Sequence, residues 1–371
     1  MENQEHIGVI GIGKLGLCFA LNLERCGYKV TGLDLDARMV EAVNARTLQS
    51  YEPQVESMLQ VAANLHATTD WATILNSDIT LFFVVVATPS LPEGGYDHAQ
   101  VDAVLDQFVK AGPSARQRHI VVMCTTMPGY CDTAAARMAP YNCSVSYNPE
   151  FIAQGSIIRD QQYPDQVLIG EDSPAAGDAI EAVYRQMCVE NPTYCRMSRL
   201  SAEIAKIATN CFLTTKISFA NSIGDLATKV GAEPDKILAA IGSDRRIGPL
   251  YLRYGFGYGG PCFPRDNRAL AEYGRQSGME VLLSQATDEV NRRHLDFQFD
   301  QYCKAYPVEE TIVFDTVTYK RGTNILEESQ QLALALKLTA AGRRVRVIDS
   351  APVVAALQSL YGDRFEYQVI A

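Results

Sequence analysis

Three glycines near the N-terminus constrain this chain more than any other feature. Gly11, Gly13 and Gly16 form a G-x-G-x-x-G turn. Before it, His6-Ile7-Gly8-Val9-Ile10 reads as a buried strand; after it, Leu15 to Cys26 has apolar residues at helical spacing, and Gly27 closes that helix. Lys29 to Leu33 reads as a second strand, followed at once by Asp34. A glycine turn from strand into helix, with an acid at the end of the next strand, is the dinucleotide-binding fingerprint in its proper setting. The glycines let the backbone around Lys14 and Leu15 approach a pyrophosphate, and the helix N-terminus offers N–H donors and a positive dipole. Asp34 is expected to accept from ribose hydroxyls. Its charge would repel a 2′-phosphate, so NAD is expected rather than NADP.

The α/β alternation continues. Ile79 to Val86, His119 to Cys124 and Ser144 to Tyr147 read as further strands. Thr88, Thr126 and Glu150 follow their carboxyl ends, where doubly wound sheets bind ligands. Ser201 to Val230 reads as one long helix. Lys206 and Asn210 lie four apart on it and so share a face. Glu233 to Ile241, Asn267 to Ser277 and Leu282 to Tyr302 read as helices, so the middle of the chain is mostly α. From Thr311 the pattern returns to α/β: a strand to Phe314, a helix from Ser329 to Ala341, and a strand from Arg344 to Ile348. The expected fold is therefore α/β in three parts: a Rossmann NAD-binding domain over 1–200, a helical domain over 201–305, and a short Rossmann-like lobe over 306–371.

Composition narrows the class. The chain has 371 residues and a net charge of −10, with no long basic run, which argues against nucleic acid as a partner. No apolar stretch reaches a membrane span, and the N-terminus runs into a strand pattern without a signal peptide, so a cytoplasmic protein is expected. The ten cysteines lack metal-ligand or disulfide-framework spacing, so no metal is expected. One of them is unusual. Cys262 sits in Gly255-Phe256-Gly257-Tyr258-Gly259-Gly260-Pro261-Cys262-Phe263-Pro264-Arg265-Asp266, a stretch read as neither helix nor strand interior. Taken alone, this is either a structural turn with a buried thiol or a loop presenting a nucleophile.

Four motifs decide between these readings. Asn148-Pro149-Glu150-Phe151-Ile152-Ala153-Gln154-Gly155-Ser156 resembles NPEFLREGS of the UDP-glucose/GDP-mannose dehydrogenase family. Ala202 to Asn210 resembles its AELxKYxxN helix, Asp244 to Gly248 its D-x-RIG loop, and Gly257 to Asp266 its GYGGSCFPKD loop. The resemblance covers nearly the whole chain. It implies a four-electron oxidation of a sugar primary alcohol to a carboxylate with NAD, on a nucleotide sugar, by a protein whose helical core dimerises. UDP-glucose to UDP-glucuronate is the expected reaction.

The resemblance also implies roles. Cys262 would attack the intermediate aldehyde, and a nearby Lys206 cation would favour its thiolate. Either Lys206 or a water held by Asp266 would take the first alcohol proton. Lys206 and the Asn210 amide would stabilise developing oxyanions. Thr126 and Asp266 would position the hydrolytic water, with Glu150 as acid/base. Thr88, Thr126 and Arg265 join the fingerprint residues on the cofactor. Substrate contacts fall to Glu150, Phe151, Lys206 and Asn210, and to Arg246, Tyr251, Phe256, Gly259 and Lys320.

Three positions depart from the family pattern. Pro261 replaces a small polar residue, Arg265 replaces a lysine, and Glu327 stands where the family carries an arginine. The last exchange alters local charge by two units and leaves open a different anionic sugar or nucleotide. A catalytically silent NAD-binding scaffold is a further reading, but it gives no reason to keep Cys262, Lys206, Asn210 and Asp266 together. A 6-phosphogluconate-type dehydrogenase would not need the Cys262 loop.

Overall fold

The computed structural model describes residues 5–370. The chain forms two compact units, one ending at Lys206 and the other starting at Ile207.

The first unit is built on an eight-stranded sheet. Its strands are β1 (His6–Ile10), β2 (Lys29–Leu33), β3 (Leu65–Thr68), β4 (Leu81–Val84), β5 (Arg118–Val122), β6 (Cys143–Tyr147), β7 (Gln166–Glu171) and β8 (Thr193–Ser198), in the order β3-β2-β1-β4-β5-β6-β7-β8. All neighbours are parallel except β6 and β7, which meet antiparallel at Tyr147 and Gly170. The first six strands have the doubly wound dinucleotide-binding order, with its switch point between β1 and β4. Buried residues pack both faces of the sheet, Ile7, Val9, Phe19 and Phe83 on one and Ile10, Phe82, Val84 and Phe108 on the other. Burial on both faces explains why β1 reads as a buried strand and why the stretch around β4 is almost unbrokenly apolar.

The strand expected over Ile79 to Val86 is shorter, spanning Leu81–Val84, with Thr80 and Val85 each adding one backbone bond to a neighbouring strand. Strands β3, β7 and β8 had no expectation attached. β3 alternates polar and apolar over four residues, and β8 is only half-buried, so neither shows the apolar run that marked its neighbours.

The long helix Arg199–Val230 begins in the first unit. The second unit adds helices Pro234–Gly242, Phe263–Gln276 and Leu282–Ala305. Its small parallel sheet contains β9 (Ile312–Phe314), β10 (Val345–Asp349) and β11 (Glu366–Val369), in the order β11-β10-β9. Helices Gln330–Ala340 and Ala351–Tyr361 accompany it, and its core of Phe314, Leu334, Leu338, Val347 and Leu357 also takes Phe256, Leu295 and Phe299. The C-terminal sheet and the helical segment thus share apolar residues within one unit. Helix Phe263–Gln276 starts four residues before the expected Asn267. Pro264 lies in its first turn, where a missing N–H costs nothing, so the proline that suggested a loop opens a helix instead.

Candidate functional site

In the first unit the glycine turn closes against β4. Gly11 has φ +89, and a Cβ there would lie 2.3 Å from the Val85 carbonyl oxygen. A Cβ on Gly16 would lie 1.8 Å from the Gly11 carbonyl oxygen. A Cβ on Gly13 would meet nothing, so its open side leaves the backbone reachable at the N-terminus of helix Lys14–Arg25. Two glycines therefore make the tight turn and the third leaves room for a ligand. Asp34 stands past β2. Its carboxylate accepts from Ile12 N (3.0 Å) and Asp36 N (3.0 Å), which fixes its orientation while leaving lone pairs for hydroxyl donors. Lys14 is exposed and reaches Gln154 (3.3 Å), and Leu15 packs partly into the core. This cradle fits a dinucleotide with a free ribose 2′-hydroxyl.

Thr88, Thr126 and Glu150 all lie just past the carboxyl ends of β4, β5 and β6, as expected. The Thr88 hydroxyl donates to the Thr125 carbonyl (2.7 Å). Thr126 is fully buried, and its hydroxyl donates to Glu203 (2.8 Å). Glu203 also accepts from Gly129 N (2.7 Å) and Cys131 N (2.9 Å), so one buried carboxylate caps helix Tyr130–Met138 and anchors the Thr126 loop. Burial still holds the Glu203 carboxyl above its ordinary value. Sequence reading did not single out Glu203, although it lies inside the quoted helix motif.

Glu150 is more strongly perturbed. Burial pushes its carboxyl up to about 7, against the lowering effects of the Tyr184 phenol and the Lys206 charge. Tyr184 donates to Glu150 Oε1 (3.2 Å). Lys206 is buried, donates from Nζ to the Glu150 carbonyl (2.6 Å), and stands 4.2 Å from the centre of the Phe151 ring. Glu150, Phe151 and Lys206 are therefore brought together.

In the second unit Cys262 is exposed and occupies the N-cap of helix Phe263–Gln276. Its carbonyl accepts the first helical bond, from Asp266 N (2.8 Å). Asp266 is 1% exposed; its Oδ2 accepts from the Asn210 amide (2.6 Å), and its carbonyl accepts from the Cys211 thiol (3.4 Å). Arg265 Nε lies 3.5 Å from Asp266 Oδ1. Cys262, Arg265, Asp266 and Asn210 thus form a second cluster.

The glycines ahead of Cys262 are held by contacts that a side chain would break. A Cβ on Gly257 would meet Asn291 Oδ1 at 2.2 Å, one on Gly259 the Glu328 carbonyl oxygen at 2.2 Å, and one on Gly260 the Tyr319 ring at 2.4 Å. Asn291 accepts from Tyr258 N (3.0 Å) and donates to Tyr258 O (2.9 Å), clamping the loop from helix Leu282–Ala305. Gly260 N donates to the Glu327 carbonyl (3.1 Å), while the Glu327 residue itself is exposed. Phe256 packs into the C-terminal core. Arg246 is 88% exposed at its side chain and pairs with Asp244 (2.7 Å). Tyr251 (φ +61) is exposed with its ring 6.2 Å from that of Phe263, and Lys320 is exposed. Among the described residues no cluster of His, Cys, Asp or Glu is suited to a metal ion, and no helix is long and apolar enough to cross a membrane.

Residues 5–188 match the NAD binding domain of the UDP-glucose/GDP-mannose dehydrogenase family, and residues 200–293 match its central domain. A UDP-glucose 6-dehydrogenase of Pseudomonas aeruginosa is 33% identical over 356 residues, spanning 92% of this chain and 78% of the relative. A GDP-mannose 6-dehydrogenase of the same organism is 28% identical over 358 residues, spanning 92% and 80%. The solved structure of a UDP-glucose dehydrogenase from Pyrobaculum islandicum superposes with a TM-score of 0.87 at 29% identity, covering 98% of this chain and 86% of that one.

Proposed function

The chain belongs to the UDP-glucose/GDP-mannose dehydrogenase family, and from that premise we propose that it oxidises UDP-glucose to UDP-glucuronate through a thioester on Cys262. The family's members are NAD-dependent nucleotide-sugar dehydrogenases, and NAD is the cofactor. The choice of sugar and the residue roles are our reading. The observation that carries them is the exposed Cys262 thiol at a helix N-terminus, one turn before a buried Asp266 that accepts from Asn210.

When bound, NAD supplies the hydride acceptor for both oxidations, so one alcohol, one water and two NAD give one carboxylate, two NADH and three protons. The first oxidation also needs an acceptor for the alcohol proton, either Lys206 or a water on Asp266. The helix N-terminus favours the Cys262 thiolate, which adds to the aldehyde carbon to give a thiohemiacetal. Loss of a hydride from that carbon, with loss of the hydroxyl proton, leaves the thioester. Asn210 and Lys206 are assigned to the developing oxyanions. Water then cleaves the carbon–sulfur bond, and the thiol is regenerated. Glu150 takes the water's proton, a task suited to a carboxyl poised near 7. Thr126 acts from its buried place on Glu203, with Asp266 on the hydrolytic water.

We assign the cofactor contacts to Gly11, Gly13, Lys14, Leu15, Gly16, Asp34, Thr88, Thr126 and Arg265. The three-part division at residues 200 and 305 and a homodimer through the helical part belong to the same reading. An exposed apolar stripe on helix Arg199–Val230, formed by Phe212, Phe219, Leu226 and Val230, supports the dimer. A different nucleotide sugar is the second reading, favoured by Glu327 where the family carries an arginine.

Replacing Cys262 by Ser tests the proposal. With UDP-glucose, release of UDP-glucuronate should fall at least about a thousand-fold, while the first hydride transfer persists in a single turnover. Carboxylate release near the wild-type rate would contradict the thioester route. No turnover of UDP-glucose by the wild type, against turnover of another nucleotide sugar, would shift the reading to that sugar.

A further inference from the structure

Glu150 ends in a small chamber lined by Asn148, Gln161, Val167 and Tyr184. Tyr184 enters from helix Pro174–Met187, is 3% exposed, and donates to Glu150 Oε1 at 3.2 Å. The polar walls are pinned from outside. Asn148 donates to the Leu168 carbonyl (2.9 Å), and the Gln161 side-chain amide oxygen accepts from Asn22 (2.9 Å). Both wall residues act on the pair: the Gln161 amide lowers the Glu150 carboxyl, and the Asn148 side chain lowers the Tyr184 phenol. Lys206 donates a short hydrogen bond to the Glu150 carbonyl and lowers the carboxyl through its charge. A neutral phenol is thus the strongest influence favouring the carboxylate, ahead of the Lys206 charge and the Gln161 amide.

We propose that Tyr184 is a positioning residue for Glu150, holding one carboxyl oxygen so that the other is left to exchange protons during the reaction. This rests on the acid/base role proposed for Glu150. A neutral donor stabilises the carboxylate only in part. Burial is then offset without being overcome, and the carboxyl stays near neutrality, where it gives and takes protons equally well. An ion pair in the same place would hold the group ionised and remove it as an acid. The other charged or titratable groups that act on Glu150 are Lys206 from helix Arg199–Val230 and Asp160 from helix Ile157–Gln162. The Cys188 and Cys18 thiols also couple to it, and burial pushes them up to about 11 and 12, which leaves them neutral.

The sign of the effect is fixed. Removing the phenol withdraws stabilisation from the carboxylate, so the carboxyl must titrate at higher pH. The test compares wild type, Tyr184→Phe and Glu150→Gln as full chains. One readout is the carboxyl stretch in infrared difference spectra of the cofactor-free protein; the other is the pH dependence of kcat. Glu150→Gln should abolish a carboxyl titrating near neutrality together with the acid limb of kcat. Tyr184→Phe should keep both and move both upward by about one pH unit, with the KM for UDP-glucose within about two-fold of wild type. Site-specific 3-fluorotyrosine at position 184 makes a more acidic donor at the same volume and should move both downward, even if the phenylalanine variant folds poorly. A carboxyl titration and acid limb that stay put in both Tyr184 variants would overturn the inference. An acid limb that survives in Glu150→Gln would overturn the acid/base reading itself, and the inference with it.

Discussion

At Asp34 the carboxylate is oriented by Ile12 N and Asp36 N, so it cannot turn away from an added phosphate without losing both bonds. A 2′-phosphate there meets a like charge, which costs several kcal/mol when desolvated. The kcat/KM for NAD should therefore exceed that for NADP by about a hundred-fold or more, and Asp34→Asn should narrow the gap chiefly by improving NADP. Equal wild-type efficiency with the two would remove Asp34 from the cofactor site. Residues of this kind were readable because motif spacing names them. Asp34, Cys262, Asp266 and Asn210 each sit at a fixed offset within a motif. Tyr184 and Asn291 were not readable, because each acts across more than 30 residues of sequence, on Glu150 and on Tyr258. Nothing local distinguishes a helix tyrosine that reaches a carboxyl from one that fills a core.

Helix Arg199–Val230 carries the clearest element-scale expectation. Phe212, Phe219, Leu226 and Val230 are 62%, 48%, 58% and 69% exposed. Their spacing of seven, seven and four places them along one stripe. Large apolar side chains in a stripe mark an interface, and a second copy of the chain is the proposed occupant. Sedimentation should give a dimer for the wild type, and Phe212→Glu combined with Phe219→Glu should give a folded monomer; a wild-type monomer at micromolar concentration would contradict the assignment. Elements with strong periodicity, such as β1, helix Lys14–Arg25 and this long helix, were legible to within a residue or two. The cysteine loop was not, since Pro264 breaks a helix in the interior but opens one in its first turn. The register of that loop depends on Asn291, Glu327 and Glu328, which lie outside its motif.

On the scale of the whole molecule, each unit contributes a distinct capability. The first holds the dinucleotide cradle and a carboxyl poised near neutrality; the second holds an exposed cysteine four residues before the aspartate of a buried Asp–Asn pair. A chain that only bound NAD would need the first set, and a simple alcohol dehydrogenase would need no thiol. Under the proposed function the two sets would serve two successive oxidations, with the thiol holding the substrate from the first to the second. The stoichiometry of a complete turnover tests this most directly. With limiting UDP-glucose, excess NAD and wild-type protein, NADH is measured by absorbance and the sugar products by mass spectrometry. The account predicts two NADH and one UDP-glucuronate per UDP-glucose consumed, with no free aldehyde accumulating. One NADH per sugar, with the aldehyde as the final product, would contradict it.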